Sequence, residues 1–268
     1  MAFFRHDNIE FHYEVTGEGV PFLAMHGLGG NYTQPKQLLE VLPDIQLITM
    51  DFRGHGKSIC NCTREKGDMK TYAEDALALL DHLGIEQVLL GGISLGAAVS
   101  LKLAIIAPER VKGLILIRPA WLNRAFPENL KPFVQISQLI QEFGTEKAED
   151  QFYESKELQI IKNFYPRAAA SLMGQFSRPQ ALENAPLLES LAADTPFDHY
   201  EELKKITCQT LVIATKHDPL HPYDFGSRLA EAISSAIFIE TASKYVHPHQ
   251  HVTAVREGII KFVRGLFK

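Results

Sequence analysis

Apolar and polar residues alternate near the start of the chain. Apolar side chains occupy every second position from Ile9 to Val15, and the residues between them are polar. A period of two is typical of a strand that buries one face and exposes the other. The alternation stops at a Gly-Glu-Gly sequence at residues 17–19, so a half-buried strand is predicted over residues 9–15.

Six short, nearly continuous apolar runs follow this strand. They cover residues 20–25, 45–50, 88–93, 111–117, 210–215 and 236–241. Runs of this length are typical of strands that are covered on both faces. Segments with helical spacing lie between them, at residues 34–42, 71–83, 94–107, 223–233 and 248–267. The alternation predicts an α/β fold with a mostly parallel sheet and helices on both faces.

The alternation is interrupted between residues 121 and 205. No strong apolar run occurs there, aromatic residues are dense, and apolar residues recur at helical spacing between Phe133 and Phe143. A helical cap insertion is therefore predicted at residues 121–205, with the core formed by residues 1–120 and 206–268.

The charge and composition of the chain argue against some classes of binding partner. The 268 residues carry a net charge of −5 without a block rich in lysine and arginine, which argues against nucleic acid or an anionic membrane as partner. No segment has the length and apolarity of a transmembrane helix, and the first residues do not form a signal peptide. We expect a small-molecule substrate and a monomer or homodimer.

The cysteine content gives a further expectation. Cys60, Cys62 and Cys208 make an odd count without a metal-binding pattern, and the first two are close together for a disulfide. These features predict a reduced, cytoplasmic protein with no metal and no cofactor.

Gly92-Ile93-Ser94-Leu95-Gly96 fits the pattern G-x-S-x-G. The pentapeptide lies where a predicted buried strand ends and a helix begins, which is the context of a nucleophile elbow. A glycine-rich turn with a helix-capping serine is the alternative. The strand-turn-helix context favours Ser94 as a nucleophile.

Acyl transfer also needs backbone donors for the oxyanion that develops on the carbonyl. The N–H group of Leu95, directly after the serine, is one candidate. The glycine-rich loop at residues 26–30 follows an earlier strand, and its Leu28 N–H is the predicted second donor.

Four segments in this order resemble the α/β-hydrolase superfamily, in its cap-bearing branch of esterases and lactonases. They are MHGLGG at residues 25–30, DFRGHGKS at 51–58, GGISLGAA at 91–98 and LVIATKHDPLHP at 211–222. The resemblance implies the α/β-hydrolase fold and a Ser-acid-His order of catalytic residues. The segment at residues 51–58 resembles a structural turn, so its polar residues are not predicted to be catalytic.

The predicted acid is Asp218, which follows the strand at residues 210–215 and would orient a histidine. Asp224 is a weaker alternative, because it lies within the next helix. An aspartate in a His-Asp-Pro turn is the structural alternative.

The base departs from the family pattern. Related enzymes have Gly-His after the last strand, where this chain has Ser243-Lys244. His247, His249 and His251 follow. His251 is the predicted base, because it opens the last helix, whose N-terminus disfavours the charged imidazole.

These residues predict a serine hydrolase of small, fairly apolar carboxylic esters, lactones or thioesters that forms an acyl-serine. A C–C bond hydrolase or perhydrolase-type enzyme with the same triad is an alternative. A ligand-binding or signalling protein that has lost turnover is another, because the Gly-His pair is missing.

Overall fold

The predicted strands form one sheet in the computed structural model, which describes residues 2–40, 42–60 and 67–266. Among these residues the sheet has eight strands in the spatial order β1-β2-β4-β3-β5-β6-β7-β8. Their bounds are β1 Ala2–His6, β2 Ile9–Thr16, β3 Val20–Met25, β4 Ile45–Met50, β5 Val88–Ile93, β6 Val111–Ile117, β7 Thr210–Thr215 and β8 Ala236–Thr241.

The sheet is antiparallel at one edge and parallel elsewhere. β1 pairs with β2 and β2 with β4 in antiparallel register, whereas β3 to β8 run parallel to their neighbours. The carboxyl ends of β3, β5, β6, β7 and β8 therefore lie at one edge. Loops that leave this edge are where open α/β sheets bind their ligands.

Helices cover both faces of the sheet. Their bounds are α1 Thr33–Leu39, α2 Met69–His82, α3 Leu95–Ile106, α4 Lys131–Phe143, α5 Thr145–Tyr153, α6 Lys156–Phe164, α7 Pro166–Met173, α8 Ala185–Ala193, α9 Tyr223–Ala232 and α10 Pro248–Leu266. One hydrophobic cluster packs α2, α3 and α9 on one face, and a second packs α1 and α10 on the other. The α/β-hydrolase fold class is thereby confirmed.

Two elements differ from the pattern-based predictions. β1 was not predicted, because its five residues are short and partly polar; the Asp7-Asn8 turn, with φ of 47° and 60°, returns the chain to β2. Helix α2 begins at Met69, two residues before the predicted Thr71. Its N-cap is Asp68, whose carboxylate accepts a hydrogen bond from the Thr71 N–H at 2.7 Å.

Between β6 and β7 lie the five helices α4 to α8, which we call the helical insertion. The Trp121 indole donates to the Leu191 carbonyl at 2.9 Å at its base. The Asn129 amide donates to the carbonyls of Ala120 at 3.1 Å and Leu220 at 2.9 Å, which fastens the insertion to the loop after β7. The division into core and cap stays a prediction.

In the described part of the chain, none of the helices has the length and apolarity that crossing a bilayer requires. Cys60 is disulfide-bonded, in contrast to the expectation of reduced thiols, and Cys208 is a free thiol. Cys62 lies outside the described residues. The cysteines therefore give the predicted cytoplasmic location no support.

Candidate active site

Ser94 stands on the turn between β5 and α3. Its backbone has φ 58° and ψ −108°, a strained conformation for a residue with a side chain. The turn is held by the Ser94 N–H, which donates to the Ile117 carbonyl at 3.0 Å. A Cβ atom at Gly96 would lie 2.3 Å from the Met25 carbonyl oxygen, so the turn needs glycine beside the serine.

Ser94 is 9% exposed and lines a small cavity at the carboxyl edge of the sheet. The cavity has a volume of about 40 Å³, enough for a few water molecules. Its polar wall comes from the loops after β6, β7 and β8, and its apolar wall from residues at the start of the insertion. The latter are Trp121, Leu130 and Phe133.

The loop after β3 offers one unengaged amide beside Ser94. The Gly27 N–H donates to the Gln34 side chain at 2.6 Å, and the Gly29 N–H donates to His55 Nε2 at 3.2 Å. Among the described residues, neither the Leu28 nor the Leu95 N–H has a hydrogen-bond acceptor. Leu28 lies in the wall of this cavity, and Leu95 directly follows the serine as the first residue of α3.

Asp218 follows β7 and is buried against Arg118, which follows β6. The Arg118 Nε donates to Asp218 Oδ2 at 3.0 Å, and the backbone N–H groups of Leu220 and His221 donate to Oδ1 at 3.1 Å. Although burial opposes it, the His221 and Arg118 charges and these hydrogen bonds hold the Asp218 pKa well below its usual range. Asp218 is therefore an ionised carboxylate whose partners lie within its own loop and on Arg118.

His221 is a cavity residue that the sequence interpretation missed. Its Nδ1 lies 2.9 Å from Asp218 Oδ1 and 2.7 Å from Arg118 Nη2, and one tautomer satisfies only one of these contacts. Burial and the Arg118 charge lower the pKa of His221 to about 4. The signal for this residue was present in the segment HDPLHP, which ends one residue after it.

His251 is buried at the start of α10, behind the loop after β8. Its Nδ1 lies 3.0 Å from the Ala242 carbonyl oxygen and 3.2 Å from Thr241 Oγ1. Burial lowers its pKa to about 4, and Arg118 adds to this effect. Within the described residues, no hydrogen bond joins His251 to Asp218 or Ser94.

The other two candidate histidines lie elsewhere. His247 and His249 are exposed and line a shallow surface depression with Arg167, apart from the cavity of Ser94. The structure thus brings Ser94, Leu28 and Leu95 together, sets Asp218 on Arg118 at the edge of the same site, and leaves His251 hydrogen-bonded to the backbone.

Lys244 lines the Ser94 cavity and was noted in the sequence only as a departure from Gly-His. Burial and the Arg118 charge lower its pKa from 10.5 to about 8. Its loop is fastened to the preceding one, because the Ser243 hydroxyl donates to the His217 carbonyl at 2.9 Å and accepts from the Tyr245 N–H at 3.2 Å.

The segment at residues 51–58 is hydrogen-bonded to α2 and to the loop after β3. Arg53 binds both carboxylate oxygens of Asp75, at 2.7 Å and 2.6 Å, in the buried interior. His26 Nε2 accepts from the Phe52 N–H at 3.1 Å, so its ring ties this segment to the loop after β3. These polar residues have structural partners, and their lack of a catalytic role stays a prediction.

Comparison with known proteins assigns the family. A family model described as alpha/beta hydrolase fold matches residues 20–247. The chain belongs to this family of hydrolases. A relative named putative carbamate hydrolase RutD, from Rhizobium rhizogenes, is 30% identical over 234 residues, which are 84% of this chain and 86% of the relative.

Solved structures of other α/β-hydrolases share the fold. A thermophilic esterase from Thermogutta terrifontis superposes with a TM-score of 0.74 at 23% identity, covering 97% of this chain and 95% of its own. An enol-lactonase from Burkholderia xenovorans LB400 gives 0.75 at 21% identity, covering 98% of this chain and 100% of its own. Among the described residues of this α/β-hydrolase, no cluster of three His, Cys, Asp or Glu side chains is arranged to hold a metal ion.

Proposed function

We propose that the protein is a serine hydrolase that cleaves small, fairly apolar carboxylic esters, lactones or thioesters. The observation that carries the proposal is the placement of Ser94 on a strained strand-to-helix turn, between two amides that have no other acceptor. Such a serine projects into the site, and such amides are suited to bind a developing oxyanion.

The proposed reaction has two halves. Ser94 Oγ loses its proton to a neighbouring base and attacks the carbonyl carbon, while the Leu28 and Leu95 N–H groups donate to the oxyanion. The C–O or C–S bond to the leaving group breaks, and the leaving group takes the proton. Water then attacks the acyl-serine, again giving its proton to the base, and releases the acid and the free Ser94 hydroxyl.

Asp218 and His251, the predicted acid and base, are candidates for the groups that activate Ser94 in this proposal. Asp218 is ionised, and His251 has a suitable tautomer, since an Nδ1–H that donates to the Ala242 carbonyl leaves Nε2 unprotonated. The Asp218 carboxylate is nevertheless engaged by Arg118 and by its own loop. The triad is therefore supported at Ser94 and Asp218 and less directly at His251.

The cavity favours a small acyl group. Three apolar side chains from the start of the insertion face a space of about 40 Å³. A carbamate is a further substrate class to assay, since several relatives are named putative carbamate hydrolases. Its carbonyl is open to the same attack.

A ligand-binding protein without turnover is the second candidate. It is favoured by the engagement of Asp218 with Arg118, since a triad needs the acid to hold its histidine. Retained ligand binding with a single acylation event and no release would support it.

The test is intact mass after treatment with a fluorophosphonate, together with turnover of p-nitrophenyl acetate. We expect one adduct on the wild type and none on Ser94→Ala, with hydrolysis lower by about 10³-fold or more in the variant. Ser100→Ala is the matched control, because Ser100 lies in the same helix and its hydroxyl donates to the Gly96 carbonyl at 2.7 Å. A wild type that neither labels nor turns over contradicts the proposal.

A further inference from the structure

Lys244 and Ser94 line the same cavity at the carboxyl edge of the sheet. The lysine lies in the loop after β8. The hydroxyl of Ser243 holds this loop against the loop after β7, so the lysine is carried on a fixed backbone.

The ammonium group of Lys244 lacks the partners that its neighbours have. Arg118 binds Asp218, and its Nη2 lies 3.4 Å from the Tyr245 hydroxyl. Within the described residues, Lys244 has no hydrogen bond and no ion pair, and its Nζ lies 5.9 Å from the centroid of the Tyr245 ring. A half-buried amine without a partner is available to a reacting group.

The charged and titratable groups around Lys244 come from the loops after β6, β7 and β8 and from α10. Arg118 faces it from the loop after β6, Asp218 and His221 from the loop after β7, Tyr245 from its own loop, and His251 from α10. Arg118 makes protonation less favourable for all three nitrogen bases.

The three bases start from different intrinsic strengths. The same surroundings bring the pKa of His221 and His251 to about 4 and that of Lys244 to about 8. General bases are most effective when their pKa lies near the working pH, so the amine is better suited here than an imidazole, which is a weaker base in these surroundings. His221 is further disfavoured because Arg118 Nη2 lies 3.4 Å from its Nε2.

We infer that Lys244, and not a histidine, takes the proton from Ser94 in this α/β-hydrolase. The inference rests on the proposed function. The neutral amine accepts the Ser94 proton as Oγ bonds to the carbonyl carbon, and the resulting ammonium gives that proton to the departing oxygen or sulfur. In the second half the amine accepts a proton from water and returns it to Ser94 Oγ. Asp218 and Arg118 are then positioning residues that set the charge around the amine.

Three substitutions at this position separate a proton acceptor from a cation that only binds an anionic substrate. Lys244→Met removes both properties, Lys244→Arg keeps the positive charge but does not release a proton at working pH, and Lys244→His restores a base. Lys261→Met, at an exposed position of α10, is the matched control. Each variant is checked for folding by thermal unfolding and assayed for fluorophosphonate labelling and p-nitrophenyl acetate turnover.

We expect Lys244→Met and Lys244→Arg to lower kcat by about 10²-fold or more with little change in KM, and Lys244→His to recover part of the loss. In the wild type kcat should fall about tenfold per pH unit below pH 8, because the neutral amine disappears there. In Lys244→His this limb should move to lower pH.

Activity of Lys244→Met within about threefold of an active wild type would overturn the inference and leave the proposed function standing. Full activity of Lys244→Arg would overturn it as well, and would make Lys244 an anchor for an anion. A wild type that neither labels nor hydrolyses overturns the inference and the proposed function together.

Discussion

The structure contains two buried polar clusters that each include an Arg-Asp pair. In the supporting cluster, Arg53 makes two short hydrogen bonds to Asp75. In the site cluster, Arg118 makes one bond to Asp218 at 3.0 Å, and nearby Lys244 has no partner among the described residues. Buried charge alone therefore does not mark the site. The distinguishing feature is an amine left unpaired beside a strained serine.

The largest expected effect concerns the supporting cluster. Asp75→Asn should lower the free energy of unfolding by about 3 to 5 kcal/mol, because it leaves the buried Arg53 guanidinium with only the exposed Asp7 carboxylate, 3.3 Å from Nη1, as counter-charge. Activity per folded molecule should stay unchanged. Urea denaturation measures the loss, and Glu74→Gln, at the exposed neighbouring position, is the control. Lost activity with unchanged stability would contradict the assignment of this cluster as structural.

A smaller loss of stability is expected in the site cluster. Asp218→Asn should cost about 2 to 3 kcal/mol, because a single charged hydrogen bond is weakened and not a bidentate pair. The variant should also shift the pH dependence of kcat to lower pH, since the Asp218 charge raises the pKa of Lys244.

Asp224→Asn, at an exposed position of α9, is the matched control for Asp218→Asn. A fall in kcat of about 10⁴-fold with an unmoved pH limb would instead favour a triad in which Asp218 orients His251.

The smallest expected effect per side chain is on acid stability, and both clusters contribute. His26 and His221 have a pKa of about 4 in the folded chain, below the value near 6.5 of an unfolded histidine. The unfolded state therefore binds more protons between these values, and stability falls as the pH drops through this window. Each histidine should lower the free energy of unfolding at pH 5 by about 2 kcal/mol relative to its value at pH 7.5.

Urea denaturation at the two pH values checks this expectation. His221→Gln should remove one histidine's share of the pH dependence, whereas His247→Gln, at an exposed position, should not. Equal wild-type stability at pH 5 and pH 7.5 would disprove the expectation.

The sequence was most informative about the sheet. All six apolar runs became strands with the bounds that their patterns predicted, because short, nearly continuous apolar runs are typical of the strands of a covered sheet. β1 was not predicted, because an edge strand needs few apolar residues and its pairing depends on the Asp7-Asn8 turn.

The site was predictable to the extent that backbone geometry determines it. The positions of Ser94, Leu28 and Leu95 follow from where strands end, which the local pattern reveals. Side-chain partners do not follow from it, because Asp218 is held both by its own loop and by Arg118 from the loop after β6. Nothing local to Asp218 shows that Arg118, a hundred positions earlier, engages it.

The Asn129 amide joins the insertion to the chemistry beneath it. Its single NH₂ group holds the Ala120 and Leu220 carbonyls, and Leu220 lies between Asp218 and His221. A substrate that displaced this end of the insertion would therefore also displace the segment that carries Asp218. Substrate entry and the position of Asp218 are thereby coupled. We expect adaptation to bulkier substrates to begin with substitutions that weaken the Asn129 hydrogen bonds.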